Sequence, residues 1–197
     1  MEITVKKEDI VSALNITLGV VEKRQTLPIL ANVLFEVGEN TFKLTATDLE
    51  SEVTTSGPLL NLESSGKTTT SAKKLNELCR LIPDGEEINL SLNGDKLNIK
   101  TTNGKYSLST LPSADFPVFD IPSGDLPIVI PAKDLRGLIK NTSFAMGNQD
   151  WRHYLNGLYL SISGGEITAV TTDAHRLAVA SVSTQSDNSF SGIIPRK

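Results

Sequence analysis

The chain has one cysteine in 197 residues, Cys79, so it cannot form an internal disulfide; the apolar helix position of that thiol marks it as a buried structural residue. Histidine is almost as scarce. His153 and His175 are the only two, and no Cys or His spacing suits a zinc site, so neither metal nor other cofactor is expected. There is no Gly-x-Ser-x-Gly elbow, no Walker loop and no dinucleotide-type glycine fingerprint, which removes the usual warrants for an enzyme. No apolar run approaches the ~18 residues of a membrane-spanning helix, and the opening residues do not read as a secretory signal. A cytoplasmic protein without membrane contact is the expectation. Hydrophobic residues at 39% and charged residues at 21% are ordinary for a globular chain. The net charge of -4 argues against indiscriminate coating of nucleic acid and leaves room for a local basic face.

What the chain does contain is a repeat. Shifted by 125 residues, it meets itself without a gap to about residue 173. Ile3 and Val5 fall on Ile128 and Ile130, Ile10, Leu14 and Thr17 on Leu135, Ile139 and Thr142, and Val33, Phe35 and Val37 on Leu158, Leu160 and Ile162. Thr47-Asp48 lands on Thr172-Asp173. A shift of 65 adds a third copy of the helix pattern, with Leu75, Leu78, Cys79 and Ile82 on Ile10, Ala13, Leu14 and Thr17. A fourth copy opens where the sequence stops, because Ile193 to Lys197 fall on Val129 to Lys133, a strand leading into a helix. The sequence therefore reads as three and a fraction modules of something longer.

Each module reads strand, helix, then three strands. Ile3 to Lys6 is a short strand, and Glu8-Asp9 place negative charge in the first turn of a helix expected to run to about Val21. Alternating apolar residues then mark strands, joined by the turn signals Gly38-Glu39-Asn40, Asn93-Gly94-Asp95, Asn103-Gly104 and Gly164-Gly165. Many strands and few helices make the fold class α+β. The second module spans roughly Ser65 to Leu111, with a helix near Ala72 to Ile82 closed by Pro83 and Gly85. Pro112, Pro117, Pro122, Pro127 and Pro131 then mark an extended linker. The expected organisation is a two-module domain over 1–120, a linker over 121–127 and the first part of a second domain over 128–197. Helices should pack on one face of a sheet with their polar faces outward.

Those polar faces are locally cationic in an anionic chain. The second helix carries Lys73, Lys74 and Arg80 against Glu77, and the third carries Lys133, Arg136 and Lys140 against Asp134. Such charges can be a solvated helix face or an electrostatic footprint for phosphate. The loop from Gly147 to Tyr154 gathers donors and aromatics immediately after the third helix, and its counterpart in the first module contains Arg24-Gln25. Two loops of this kind suit a phosphate backbone; alternatively, Trp151 and Tyr154 are core anchors. Thr171 to Leu177 is the richest polar cluster, but Asp173 and His175 have no serine elbow with which to form a triad. The duplicated Thr-Asp pair points to a turn in which Asp accepts backbone hydrogen bonds. His175-Arg176-Leu177 is not duplicated, since Glu50-Ser51-Glu52 stands at the equivalent place.

At these residues the chain resembles the bacterial sliding clamps, the beta subunits of DNA polymerase III. The matching stretches are Arg24 to Leu30, Thr47 to Glu50, Tyr106 to Pro112, Ala114 to Pro117, Tyr154 to Gly157 and Thr172 to Ala178, in order over the whole chain. The resemblance implies the DNA-clamp fold of repeated strand-helix-three-strand modules and a non-catalytic processivity factor that encircles duplex DNA. It implies Arg24, Lys73, Arg80, Gln149, His153 and Tyr154 as DNA-binding residues. His153 stands where the family often has a second aromatic. It further implies a pocket for a short partner peptide from Arg152, Leu155, Thr172, Ala174, His175, Arg176 and Leu177, with glycine usual at Ala174. The implied partners are the polymerase catalytic subunit, the clamp loader and other clamp-binding-motif proteins. A head-to-tail homodimer of the full-length protein would use Lys74, Lys96, Lys105, Tyr106 and Leu108, residues that alternatively protect an exposed strand edge. A second class of function remains open, a truncated clamp that binds proteins without encircling DNA.

Overall fold

A computed structural model describes residues 1–21, 27–119, 129–186 and 188–196. The chain forms two compact units, Met1–Asp120 and Ile121–Lys197.

In the first unit β1 (Glu2–Lys6) leads into α1 (Lys7–Thr17), followed by β2 (Asn32–Val37), β3 (Thr41–Thr47), β4 (Glu52–Pro58) and β5 (Asn61–Ser64). The second copy runs β6 (Gly66–Ser71), α2 (Ala72–Leu81), β7 (Glu87–Asn93), β8 (Lys96–Lys100) and β9 (Lys105–Leu111). The turn signals read from the sequence fall between β2 and β3, β7 and β8, and β8 and β9. Helix α1 buries Ile10, Ala13, Leu14 and Thr17 along one stripe. It ends at Thr17, not near Val21: the Thr17 hydroxyl turns back onto the Ala13 and Leu14 carbonyls, and Gly19 disfavours another turn. The start of α1 is tied to the second module, where the Gly85 N–H donates to Glu8 at 2.6 Å and draws its carboxyl below the usual range. Ser71 caps α2, and Pro83 follows its last turn.

The strand order β4-β3-β2-β6-β9-β8-β7-β1-β5 shows how the copies interlock. β6, which opens the second module, pairs with β2 of the first, while β1 pairs with β7 of the second. Each module thus completes its partner's sheet. α1 and α2 lie against each other and share one core with residues from both copies, including Ile3, Phe35, Phe42, Leu75, Ile88 and Ile99. Cys79 is fully buried there, and desolvation raises its thiol pKa to about 12.

In the second unit α3 (Ala132–Thr142) packs on one face of a sheet ordered β12 (Leu177–Ser183), β11 (Glu166–Thr172), β10 (Gly157–Ser163) and β13 (Phe190–Pro195). Leu138, Met146, Leu158, Leu160, Ile162, Ile167 and Ala169 form its core. β13 is the opening strand of the fourth copy, and it pairs with β10 as β6 pairs with β2. One expectation fails. The repeat places a strand at Ile128 to Ile130, yet Val129, Ile130 and Pro131 are not in a strand. In the first unit β1 is held by β7 and β5, whereas no described strand pairs with Val129 or Ile130. No described helix is long and apolar enough to cross a membrane.

Candidate functional site

The duplicated Thr-Asp pairs fold alike. After β3, the Asp48 carboxylate accepts the N–H groups of Glu50 and Ser51 at 3.0 and 2.8 Å, and the Thr47 hydroxyl accepts the Leu49 N–H at 3.1 Å. After β11, Asp173 accepts His175 and Arg176 at 3.0 Å each, and Thr172 accepts Ala174 at 3.1 Å. These bonds, led by the one from His175, lower the Asp173 pKa. Leu49 and Ala174 sit at equivalent positions with φ of 73° and 72°. Left-handed backbone favours glycine, yet leucine and alanine hold it here. His175 therefore occupies a turn rather than a strand. Arg176 pairs with Asp173 at 2.9 Å and lies 5.9 Å from the centre of the exposed Phe144 ring.

Antiparallel pairing gathers the candidate pocket residues at one end of the second unit. Thr172 pairs with Leu177, so the end of β11 meets the start of β12; the start of β10, just after Leu155, lies at the same end. The Thr171 hydroxyl donates to the Thr142 carbonyl at 2.5 Å, which fixes the C-terminus of α3 there. Leu155 is buried, Leu177 is 64% exposed, and the Thr172 hydroxyl donates to the Arg176 carbonyl at 2.7 Å. Arg152 is already engaged: Nε and Nη2 donate to the two Asp150 oxygens at 3.0 and 2.9 Å, and its N–H adds 2.8 Å. Those hydrogen bonds hold Asp150 at a pKa of about 2. The sequence reading missed Asp150. Its Asp-x-Arg spacing was a legible signal for a self-bonded turn.

The DNA-type residues have the following surroundings. Arg24 lies outside the described residues. Lys73 and Arg80 are exposed on α2, with Glu77 3.8 Å from Lys73, and Arg80 Nη2 donates to Asn15 Oδ1 at 3.0 Å. Lys133, Arg136 and Lys140 are exposed on α3, away from its buried Leu138. Gln149 has φ 57°, His153 is exposed, and Trp151 and Tyr154 are 82% and 61% exposed. Neither aromatic is a core anchor. The loop's core position is taken by Leu155 instead.

Of the interface residues, Tyr106 is exposed and packs over Gly104, where a Cβ would come within 2.7 Å of its hydroxyl. Leu108 packs on the first unit's core, and Lys74, Lys96 and Lys105 are exposed. β9 pairs with β8 from Lys105 to Ser109 and meets β6 at Thr110 and Leu111. Its first part therefore presents an open edge.

Interlocked α+β modules with exposed basic residues on α2 and α3 are the features to compare with known proteins. Residues 1–120 match the family model for the DNA polymerase III beta subunit N-terminal domain, and residues 129–197 match its central domain. The chain belongs to the DNA polymerase III beta-subunit family. It is 40% identical over 198 residues to the "Beta sliding clamp" of Escherichia coli K12, and 41% identical over 199 residues to that of Pseudomonas aeruginosa. In both cases all of this chain aligns to 54% of the relative, so the chain spans about half the length of these curated relatives. The crystal structure of the P. aeruginosa beta subunit superposes with a TM-score of 0.93 at 40% identity, and Caulobacter crescentus pol III beta with 0.93 at 34%, each covered to 54%.

Proposed function

We propose that this chain is the N-terminal portion of a non-catalytic processivity clamp, with a complete domain over 1–120, a linker over 121–127 and the first part of a second domain over 128–197. The observation that carries the reading is the alignment of the whole chain to beta clamps, combined with exposed basic faces on α2 and α3 in a chain of net charge -4. Such a balance holds phosphate nearby without the tight grip that would stop sliding.

In the full-length protein two subunits close head to tail around duplex DNA, with Lys74, Lys96, Lys105, Tyr106 and Leu108 on the first-domain side of the contact. Arg24, Lys73, Arg80, Gln149, His153 and Tyr154 touch the DNA. Leu155, Thr172 and Leu177 form the apolar part of a partner-peptide site, with Arg152, Ala174, His175 and Arg176 around it. Through that site the clamp holds the polymerase catalytic subunit, the clamp loader and other proteins bearing the binding motif.

Retention of the full-length protein on circular DNA tests the reading. Arg24→Ala with Arg80→Ala should shorten retention while leaving the fold intact, and each lost phosphate contact should lower the salt slope by about 0.9. Unchanged retention would remove both residues from the DNA face.

A further inference from the structure

We propose that Trp151 is a further DNA-contacting residue, its indole lying against the sugar–phosphate backbone of duplex DNA between Gln149 and Tyr154, and that Asp150 and Asn156 are the residues that position it. This rests on the DNA-encircling reading and extends it to a side chain that reading does not use.

The loop around Trp151 is built to hold a shape. The Asn156 amide brackets the Asp150 backbone, accepting its N–H at 3.0 Å and donating to its carbonyl at 2.8 Å. The Asp150 carboxylate in turn holds Arg152 by three hydrogen bonds. At the base the Gly147 N–H donates to the Leu155 carbonyl at 2.8 Å, and Arg196 donates from its guanidinium to the Gly147 carbonyl at 2.9 Å and from its N–H to Asn156 at 3.1 Å. Asp150 and Arg152 are half-buried, while Gln149, Trp151 and His153 are exposed. The alternation follows from the clip: whatever bonds inward sends its neighbours out.

Trp151 is thus an indole at 82% exposure on a segment whose conformation is already fixed. One ring face has the Arg152 guanidinium 5.7 Å from its centre. A pre-ordered aromatic loses little conformational freedom on binding, and its chemistry suits the backbone of DNA. The ring covers apolar deoxyribose, and Nε1–H offers one donor to a phosphate oxygen. Neither contact reads a base, so both tolerate translation along the duplex. The exposed Lys133, Arg136 and Lys140 of the preceding helix supply the complementary charge.

Trp151 is the only tryptophan in the chain, so intrinsic fluorescence reports on it alone. The chain is titrated at low ionic strength with a short blunt duplex while tryptophan emission and the anisotropy of a labelled duplex are followed together. Both should change along one isotherm. Trp151→Ala should weaken binding several-fold at every salt concentration without altering the slope of log K against log salt, because a neutral side chain releases no counterion. Trp151→Phe should recover part of the affinity. Asp150→Ala should lower the fluorescence anisotropy of Trp151 before DNA is added, and Asp150→Glu should restore it in part.

If duplex anisotropy rises while Trp151 emission stays constant, the residue is off the contact and the DNA-binding reading stands. If neither signal moves, the Trp151 assignment falls, while the encircling reading is decided by retention of the full-length protein on circular DNA. Quenching by a single-stranded oligonucleotide or a clamp-binding peptide, with silence toward duplex, overturns the assignment in favour of that ligand.

Discussion

The first and second units are written with one repeat, yet their sheets differ in what covers them. In the first, the opening strand β1 is bonded on both sides, whereas its equivalent around Val129 to Pro131 is not in a strand. The outer sheet faces differ as well. Leu34, Thr45 and Thr69, which point away from the helices of the first unit, are buried. The chain after β9 runs across them, from the Thr69 hydroxyl at Leu111 to Glu52, which accepts the Phe119 N–H at 3.0 Å, and Phe116 is left 5% exposed. In the second unit the corresponding row is Val179, Val170, Tyr159 and Ile193, paired straight across four strands, with Tyr159, Val179 and Ile193 exposed. A single module therefore leaves its sheet unfinished. The exchanged strand and the strap that follows the second copy finish the first sheet.

The sharpest way to break this comparison is Phe116→Ala. Removing a buried aromatic costs about 3–5 kcal/mol, so hydrogen exchange should accelerate throughout β2, β3 and β6 and remain unchanged in β10 and β11. In the unaltered chain, amides of β1, β7 and β8 should exchange more slowly than those of β10 to β13. Equal protection of the two units would mean that the bonding of β1 on both sides does not matter.

Next in size is Leu177→Ala. Its side chain is 64% exposed and leaves little core behind, so unfolding should be nearly unaffected. A clamp-binding peptide titrated against the full-length variant should nonetheless lose about 1–4 kcal/mol of affinity. Unchanged affinity would take Leu177 out of the site.

Most of this fold was legible because the repeat exposes the same periodicity twice. Val33, Phe35 and Val37 alternate as Leu158, Leu160 and Ile162 do, and all six are core residues. The strand that the repeat predicts does not form at Val129 and Ile130, because an apolar pattern is only half the requirement. A strand also needs a partner for its backbone groups, and sequence similarity is blind to that. The site was legible in the Thr-Asp turns, whose bonds are local. It was not legible in the clip formed by Arg196, Gly147 and Asn156, since no local pattern signals a guanidinium bonded to a carbonyl about fifty residues away.

A smaller effect separates the acidic turns. Asp150 and Asp173 both have folded pKa values below their unfolded ones, Asp150 at about 2. A depressed carboxylate contributes stability that is complete above the unfolded value near 3.9 and is lost as pH falls through the folded one. Acid should therefore loosen the Trp151 loop only as pH falls from about 4 toward 2, seen as falling fluorescence anisotropy. Asp150→Asn should show no such transition in that window.

The smallest change tests the equivalence of the two turns directly. Leu49 and Ala174 both hold left-handed backbone, which costs an L-residue with a Cβ about 1–2 kcal/mol and costs glycine nothing steric. Glycine gives back part of this through the entropy it loses on folding, about 0.5–1 kcal/mol. Leu49→Gly and Ala174→Gly should each stabilise their own unit by less than about 1 kcal/mol. Because the Thr and Asp bonds around both residues match, the two gains should be alike once the loss of the half-exposed Leu49 side chain is allowed for. A gain at one turn with a loss at the other would show that the copies share a backbone shape but differ in what holds it.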